Sequence, residues 1–386
     1  MYKSIHTGGS YMFQTIKFSD VVAVEGYIAK YPGANALYKS FKPEAKRFIQ
    51  DFFLSKRTLP LTYDPFFKRI FNPDIHSDRL SRLISAILGQ EVIVTEILSS
   101  EDTLVKGNSL MIMDIVVRLA DGSITNVEIQ KISAAFPAER MSCYSADLLL
   151  RQYEQVKARM KDNFTYGSLN KVYTIVIFEN TDTQTTSESV YQAFHTEAMS
   201  KIYLHHGKTN FDTGLSLDFL QEFFLISLDI FKEVGYGKDD SELTAWLSLL
   251  ATDTYEEAEF LCGKYPWMEE IFQEISEYVH DPEEVLGMFS EALQVMDDNM
   301  FRYMSDKHAA LVKQQQAEIE NQQVEIENQQ AEIENQRVEI ENLQLYIIKQ
   351  LKESKQPKEE AVLRLTEICN LPKERALEIV ENYWNS

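Results

Sequence analysis

Two early segments space their apolar residues as helices do. One runs from Ala45 to Phe53, the other from His76 to Leu88, where Leu80, Leu83, Ile84, Ile87 and Leu88 form one face at i, i+3, i+4, i+7 and i+8. Gly89 follows as a natural stop. The period then changes. Val92 to Leu98, Leu110 to Leu119, Ser123 to Ile129 and Val172 to Phe178 are short and rich in Val, Ile and Thr, which predicts strands. Ala120-Asp121-Gly122 joins the second to the third as a hairpin. Between the third and fourth, Phe136, Arg140, Tyr144 and Leu148 recur every four residues on one long helix. Strand, hairpin, helix, strand predicts an α/β fold with a mixed sheet flanked by helices.

On either side the pattern differs. Residues 1–38 show no sustained period and read as a variable leader, so the core is placed at 39–211. Residues 212–312 read as a helical subdomain, with Phe219, Phe223, Phe224, Ile226 and Leu228 opening one core-facing region and Trp246, Leu247, Leu249 and Leu250 another. Over 313–356 the sequence repeats, with Ile319, Ile326, Ile333, Ile340 and Ile347 every seven residues. If Ile occupies heptad position a, position d holds Gln322, Gln329, Gln336 and Leu343, so the seam is half apolar. This long helix is either a coiled coil that makes a homo-oligomer or a solvated spacer. Pro357 ends it, and two short helices, Glu359 to Cys369 and Pro372 to Trp384, close the chain over 357–386.

Charge sharpens this division. The chain of 386 residues carries a net charge of −22, which by itself argues against nucleic acid. Its distribution argues otherwise. Residues 39–82 hold ten basic and five acidic side chains and residues 140–171 six and three, whereas residues 212–303 hold four and 22. A basic surface is thus available around the predicted core. Cys143, Cys262 and Cys369 are far apart and lack the spacing of a zinc site or a disulfide framework, which fits a reducing, cytoplasmic setting. Neither an export signal nor a membrane-spanning run is read from the sequence.

The chemistry concentrates in the hairpin. Asp114 lies in one arm and Glu128 in the other, followed by Ile129, Gln130 and Lys131. Alternation puts Glu128 and Gln130 on one face and Ile129 and Lys131 on the other. A two-residue loop would set Asp114 opposite Ile129. A three-residue loop, with a type I turn at Ala120-Asp121 and Gly122 in the left-handed region, pairs Leu119 with Ser123 and sets Asp114 opposite Glu128. The three-residue form is expected, and with it two neighbouring carboxylates that suit Mg²⁺ or Mn²⁺ between them. His205-His206 reads as a loop, and Phe178-Glu179-Asn180 as core and turn.

Asp64 and Phe67-Lys68 followed by Phe71, then Asp114, then Glu128-Ile129-Gln130, then Phe136, Arg140 and Tyr144, form an ordered set over roughly residues 60 to 180. The set resembles the Rpn-like recombination-promoting nuclease and transposase branch of the PD-(D/E)xK superfamily. The resemblance implies a restriction-endonuclease-like core that cuts DNA with Mg²⁺ or Mn²⁺. Asp114 and Glu128 would hold the metal, with the Ile129 carbonyl as third ligand and Asp64 as accessory ligand or orienter. The ion would activate a bound water and offset charge on the phosphate. Gln130 occupies the position of the superfamily's Lys and supplies neither charge nor base, so Lys68 is the expected compensating cation. Arg140 and Tyr144 would line the substrate approach. Two other readings stay open: a nucleic-acid-binding protein of this fold that has lost turnover, and a scaffold that assembles through its helical repeat. Taken singly, Asp64 and Lys68 could also be only an i, i+4 ion pair.

Overall fold

The structure, a computed structural model, describes residues 13, 16–98, 114–131, 138–181 and 193–384. Five helices lead: α1 (Val21–Ile28), α2 (Pro32–Ser40), α3 (Pro43–Phe53), α4 (Asp64–Ile70) and α5 (Ser77–Leu88). Gly89 ends α5 in the left-handed conformation, φ +68°, as its lack of a Cβ allows. Next come β1 (Val94–Leu98), β2 (Ile115–Leu119), β3 (Ile124–Gln130), α6 (Ala138–Met160), β4 (Val172–Phe178), β5 (Leu204–Lys208) and β6 (Gln221–Ser227). The six strands form one sheet in the order β1-β2-β3-β4-β6-β5. β3, β4 and β6 run parallel, and the remaining neighbours are antiparallel.

Each face of the sheet carries a core, which is why all seven residues of β3 and of β4 are buried. On one face Val117, Val127, Ile129, Ile175 and Ile177 pack with the early helices and with α7 (Leu228–Val234), α8 (Glu242–Leu250), α9 (Tyr255–Lys264) and α10 (Met268–Glu277). On the other, Val116, Ile124, Val176 and Phe178 pack against Met141, Tyr144 and Leu148 of α6. No helix among the described residues is long and apolar enough to cross a membrane.

Three expectations are corrected. Gln221–Ser227 is an inner strand, not the opening of a helical subdomain: Glu222, Phe224 and Ile226 are buried, alternating with half-buried Gln221, Phe223 and Leu225. His205 and His206 lie in β5, paired with Leu225 and Phe224, rather than in a loop. Much of the expected leader is structured, because Val24, Ile28, Ala34 and Tyr38 are buried in the same core as α3 and α5. Residues 110–113 of the predicted second strand, and Phe136, lie outside the described residues.

Contacts divide the chain into residues 1–303 and 304–386. The helix α11 (Pro282–Glu353) runs through that boundary and carries the heptads. In the second unit Ile348, near the end of α11, is buried with Ala361, Val362 and Leu365 of α12 (Lys358–Ile368) and Ala376 and Val380 of α13 (Lys373–Trp384).

Candidate active site

The hairpin turn fixes the site. Leu119 N–H donates to the Ser123 carbonyl at 2.8 Å and Gly122 N–H to the Leu119 carbonyl at 2.9 Å. Gly122 sits at φ +89°, and the Asp121 carboxylate caps the turn from the Ser123 N–H and hydroxyl. This is the three-residue loop. The register Ile115↔Val127 and Val116↔Asn126 therefore continues to Asp114 opposite Glu128. The two residues grip each other: Asp114 N–H donates to Glu128 Oε1 at 3.0 Å, and Ile129 N–H to Asp114 Oδ2 at 2.8 Å.

Both carboxylates lie in a dry setting. Glu128 is fully buried and Asp114 half-buried. Burial first, and then the charge of Asp64, pushes Asp114 up to about 7, although the Ile129 N–H, Lys68 and Arg140 work against the rise. Burial and the Asp114 charge hold Glu128 well above the ordinary carboxylate range. Two buried like charges are costly unless a proton or a cation joins them.

Helices from both layers reach this strand end. Asp64 opens α4 and binds the Lys68 ammonium through Oδ2 at 2.9 Å, so the i, i+4 pair forms. Burial disfavours the Lys68 charge, but Asp64, then Asp114 and Glu128, outweigh it and raise the pKa. From α6, Arg140 Nε donates to the Tyr144 hydroxyl at 2.8 Å with its guanidinium 5.2 Å from that ring. Burial, and then Glu128, raises the Tyr144 hydroxyl pKa, so it stays protonated. Tyr144 is completely buried. Its ring therefore supports Arg140 and does not itself line an open approach. Gln130 shares the Glu128 face and reaches Glu128 Oε2 at 3.4 Å. Lys131, on the opposite face, packs its amine 4.1 Å from the centre of the Tyr63 ring.

Among the described residues no group of three His, Cys, Asp or Glu side chains is already arranged to hold a metal ion. The donor chemistry nevertheless fits a hard cation. Asp64, Asp114 and Glu128 supply oxygens, and Asp64 Oδ1 is buried with no hydrogen-bond partner. A buried carboxylate oxygen with no hydrogen bond, close to another carboxylate, is a ligand atom that a hard cation would satisfy. Phe178-Glu179-Asn180, read from the sequence as core and turn, belongs to a cluster beside this site: Glu179, directly after β4, meets Thr62 and Lys131, and Lys131 in turn meets Tyr63. Its signal is a carboxylate directly after a buried strand.

A mixed sheet with paired hairpin carboxylates at a strand end, between helices of two layers, defines a PD-(D/E)xK nuclease-like core. The chain belongs to the PD-(D/E)XK nuclease family transposases, whose family model matches residues 61–305. That match begins where the ordered motif begins and continues through α7–α10 into α11. Comparison with curated proteins and with solved structures gives no match.

Proposed function

We propose that the chain is a divalent-metal-dependent DNA endonuclease whose metal is held by Asp114 and Glu128, with the Ile129 carbonyl and Asp64 completing the protein's share. The observation that carries this reading is the reciprocal Asp114–Glu128 clasp, which keeps two carboxylates together in a site that raises the pKa of both. When bound, Mg²⁺ or Mn²⁺ activates water and offsets charge building on the phosphate. Lys68 and Arg140 supply the fixed positive charge that Gln130 does not, and Tyr144 orients Arg140 toward a phosphate. Gln130 orients water through its amide.

Purified protein should nick and linearise supercoiled DNA with Mg²⁺ or Mn²⁺ and not with EDTA. Asp114→Ala and Glu128→Ala, shown to be folded, should each lose on the order of 10²–10³-fold in rate. Cutting that survives in both variants would reject this site. Folded wild-type protein that binds DNA but never cuts it would favour the binding reading.

The partner we infer for the heptads is a second copy of the chain. Ile319, Ile326, Ile333 and Ile340 are each about half exposed along α11, an apolar row that a solitary helix would leave in water. Parallel, in-register pairing with Ile at a would set Glu318, Glu325, Glu332 and Glu339 across from Gln323, Gln330, Arg337 and Gln344. Antiparallel pairing would set glutamate against glutamate.

A further inference from the structure

We propose that Glu179 is a positioning residue that sets α4, and thus Asp64 and Lys68, against the Asp114–Glu128 pair. The proposal rests on the nuclease reading for its consequence but not for its physical content. One side chain ties three segments. The Thr62 hydroxyl, from the buried approach to α4, donates to Glu179 Oε2. Glu179 Oε1 lies 3.7 Å from the Lys131 ammonium at the end of β3. The Glu179 N–H donates to the Gln130 carbonyl at 2.9 Å, joining the ends of β3 and β4.

Lys131 closes the loop. Its ammonium also donates to the Tyr63 hydroxyl and lies over that ring. Tyr63 precedes α4, and its carbonyl accepts the Phe67 N–H at 2.9 Å in the first turn. Asp64 is the next residue. The start of α4 is thereby fastened to the strands that carry Glu128 and Gln130 through the face opposite theirs. Without the Glu179 carboxylate, Thr62 would be left as a buried donor and Lys131 would lose its countercharge. α4 would then settle elsewhere, and small displacements of positioning groups are costly: about 1 Å can cost on the order of 10²-fold in rate.

The test uses the full chain. Glu179→Ala should lower kcat for DNA cleavage about tenfold or more, leave KM for DNA within about twofold, and raise the Mn²⁺ concentration for half-maximal activity. Glu179→Gln still accepts from Thr62 and should restore most of the rate. Thr62→Val should resemble Glu179→Ala, and the double variant should be no worse than the single ones, since both break one tie. Hydrogen exchange in the absence of metal and DNA provides an independent reading: in Glu179→Ala, or in Thr62→Val should the former not fold, the amides of residues 67–71 should lose protection while those of residues 124–129 keep theirs. Unchanged exchange at 67–71, or a variant with lower Tm but undiminished kcat per folded molecule, would overturn the proposal. The exchange result stands whether or not the chain cuts DNA, so the positioning role and the nuclease reading fail separately.

Discussion

β3 and the heptads of α11 break the same rule in opposite directions. β3 buries Thr125, Asn126, Glu128 and Gln130 inside the protein, whereas α11 leaves residues 311–343 exposed with an isoleucine in every heptad. A buried carboxylate pays a desolvation cost that a cation can remove, and an exposed aliphatic row forgoes burial that a partner helix can supply. Each region therefore carries groups at odds with their surroundings, and the chemistry of each says what would relieve it. The buried case is more restrictive, because the sheet fixes where Glu128 and Asp114 stand. The exposed case is less so, because no neighbouring element among the described residues fixes what packs on those isoleucines.

The largest effect expected concerns the buried carboxylates. Their folded pKa values lie above the unfolded ones, so between the ordinary 3.8 of Asp114 and its folded value of about 7 the native state holds protons that the unfolded chain has released. Stability conferred by protonation is full below that window and is lost as pH rises through it. Metal-free protein should thus be less stable at pH 7.5 than at pH 5. Asp114→Asn, whose oxygen still accepts from Ile129, should make the profile shallower, leaving the Glu128 part, and should stabilise the metal-free protein at pH 7.5. Urea titrations at several pH values measure this. Equal profiles for both proteins would show that the pair is not strained.

The exposed isoleucines should respond next. Ile326→Ala with Ile333→Ala removes four side chains from a dimer seam and should weaken self-association at least about 100-fold, since burying one such side chain contributes about 1.5–3 kcal/mol. Sedimentation equilibrium of the full chain reads this directly. A wild-type chain that sediments as a monomer at all concentrations would make α11 a solvated spacer, and the comparison with β3 would lose its symmetry.

What could be read from the sequence followed how local the deciding interactions were. The Asp114–Glu128 pairing was legible because a three-residue turn and strand alternation fix it within 15 residues. β6 was not, because Phe223-Phe224 and Leu225-Ile226 are filled on both faces of an inner strand and leave a run in place of clean alternation. β5 presents His205, His206 and Lys208 at the sheet edge and offers little apolar signal. α1 and α2 are short, and only packing among α1, α2 and α3 brings Val24, Ile28 and Tyr38 into the shared core. From spacing alone Asp64 and Lys68 were legible only as an i, i+4 pair; their place beside Asp114 came from the family resemblance. That place depends on a contact spanning some 50 residues, and the Glu179 tie to Thr62 spans 117.

The smallest effect expected tests the turn on which the pairing depends. Gly122 takes φ +89°, and an added Cβ would run into the Asn170 amide nitrogen. Gly122→Ala should cost about 1–2 kcal/mol from the left-handed backbone alone, with a further contribution only if Asn170 cannot turn aside. Asn170→Ala in the same background separates the two. If it restores nothing, the backbone accounts for the whole loss. If Gly122→Ala loses cleavage far beyond its loss of stability, the turn has shifted register by one residue, which would carry Glu128 to the opposite face from Asp114. Cleavage that falls only in proportion to the folded fraction would instead show that the clasp between Asp114 and the Glu128-Ile129 backbone holds the register without help from the turn.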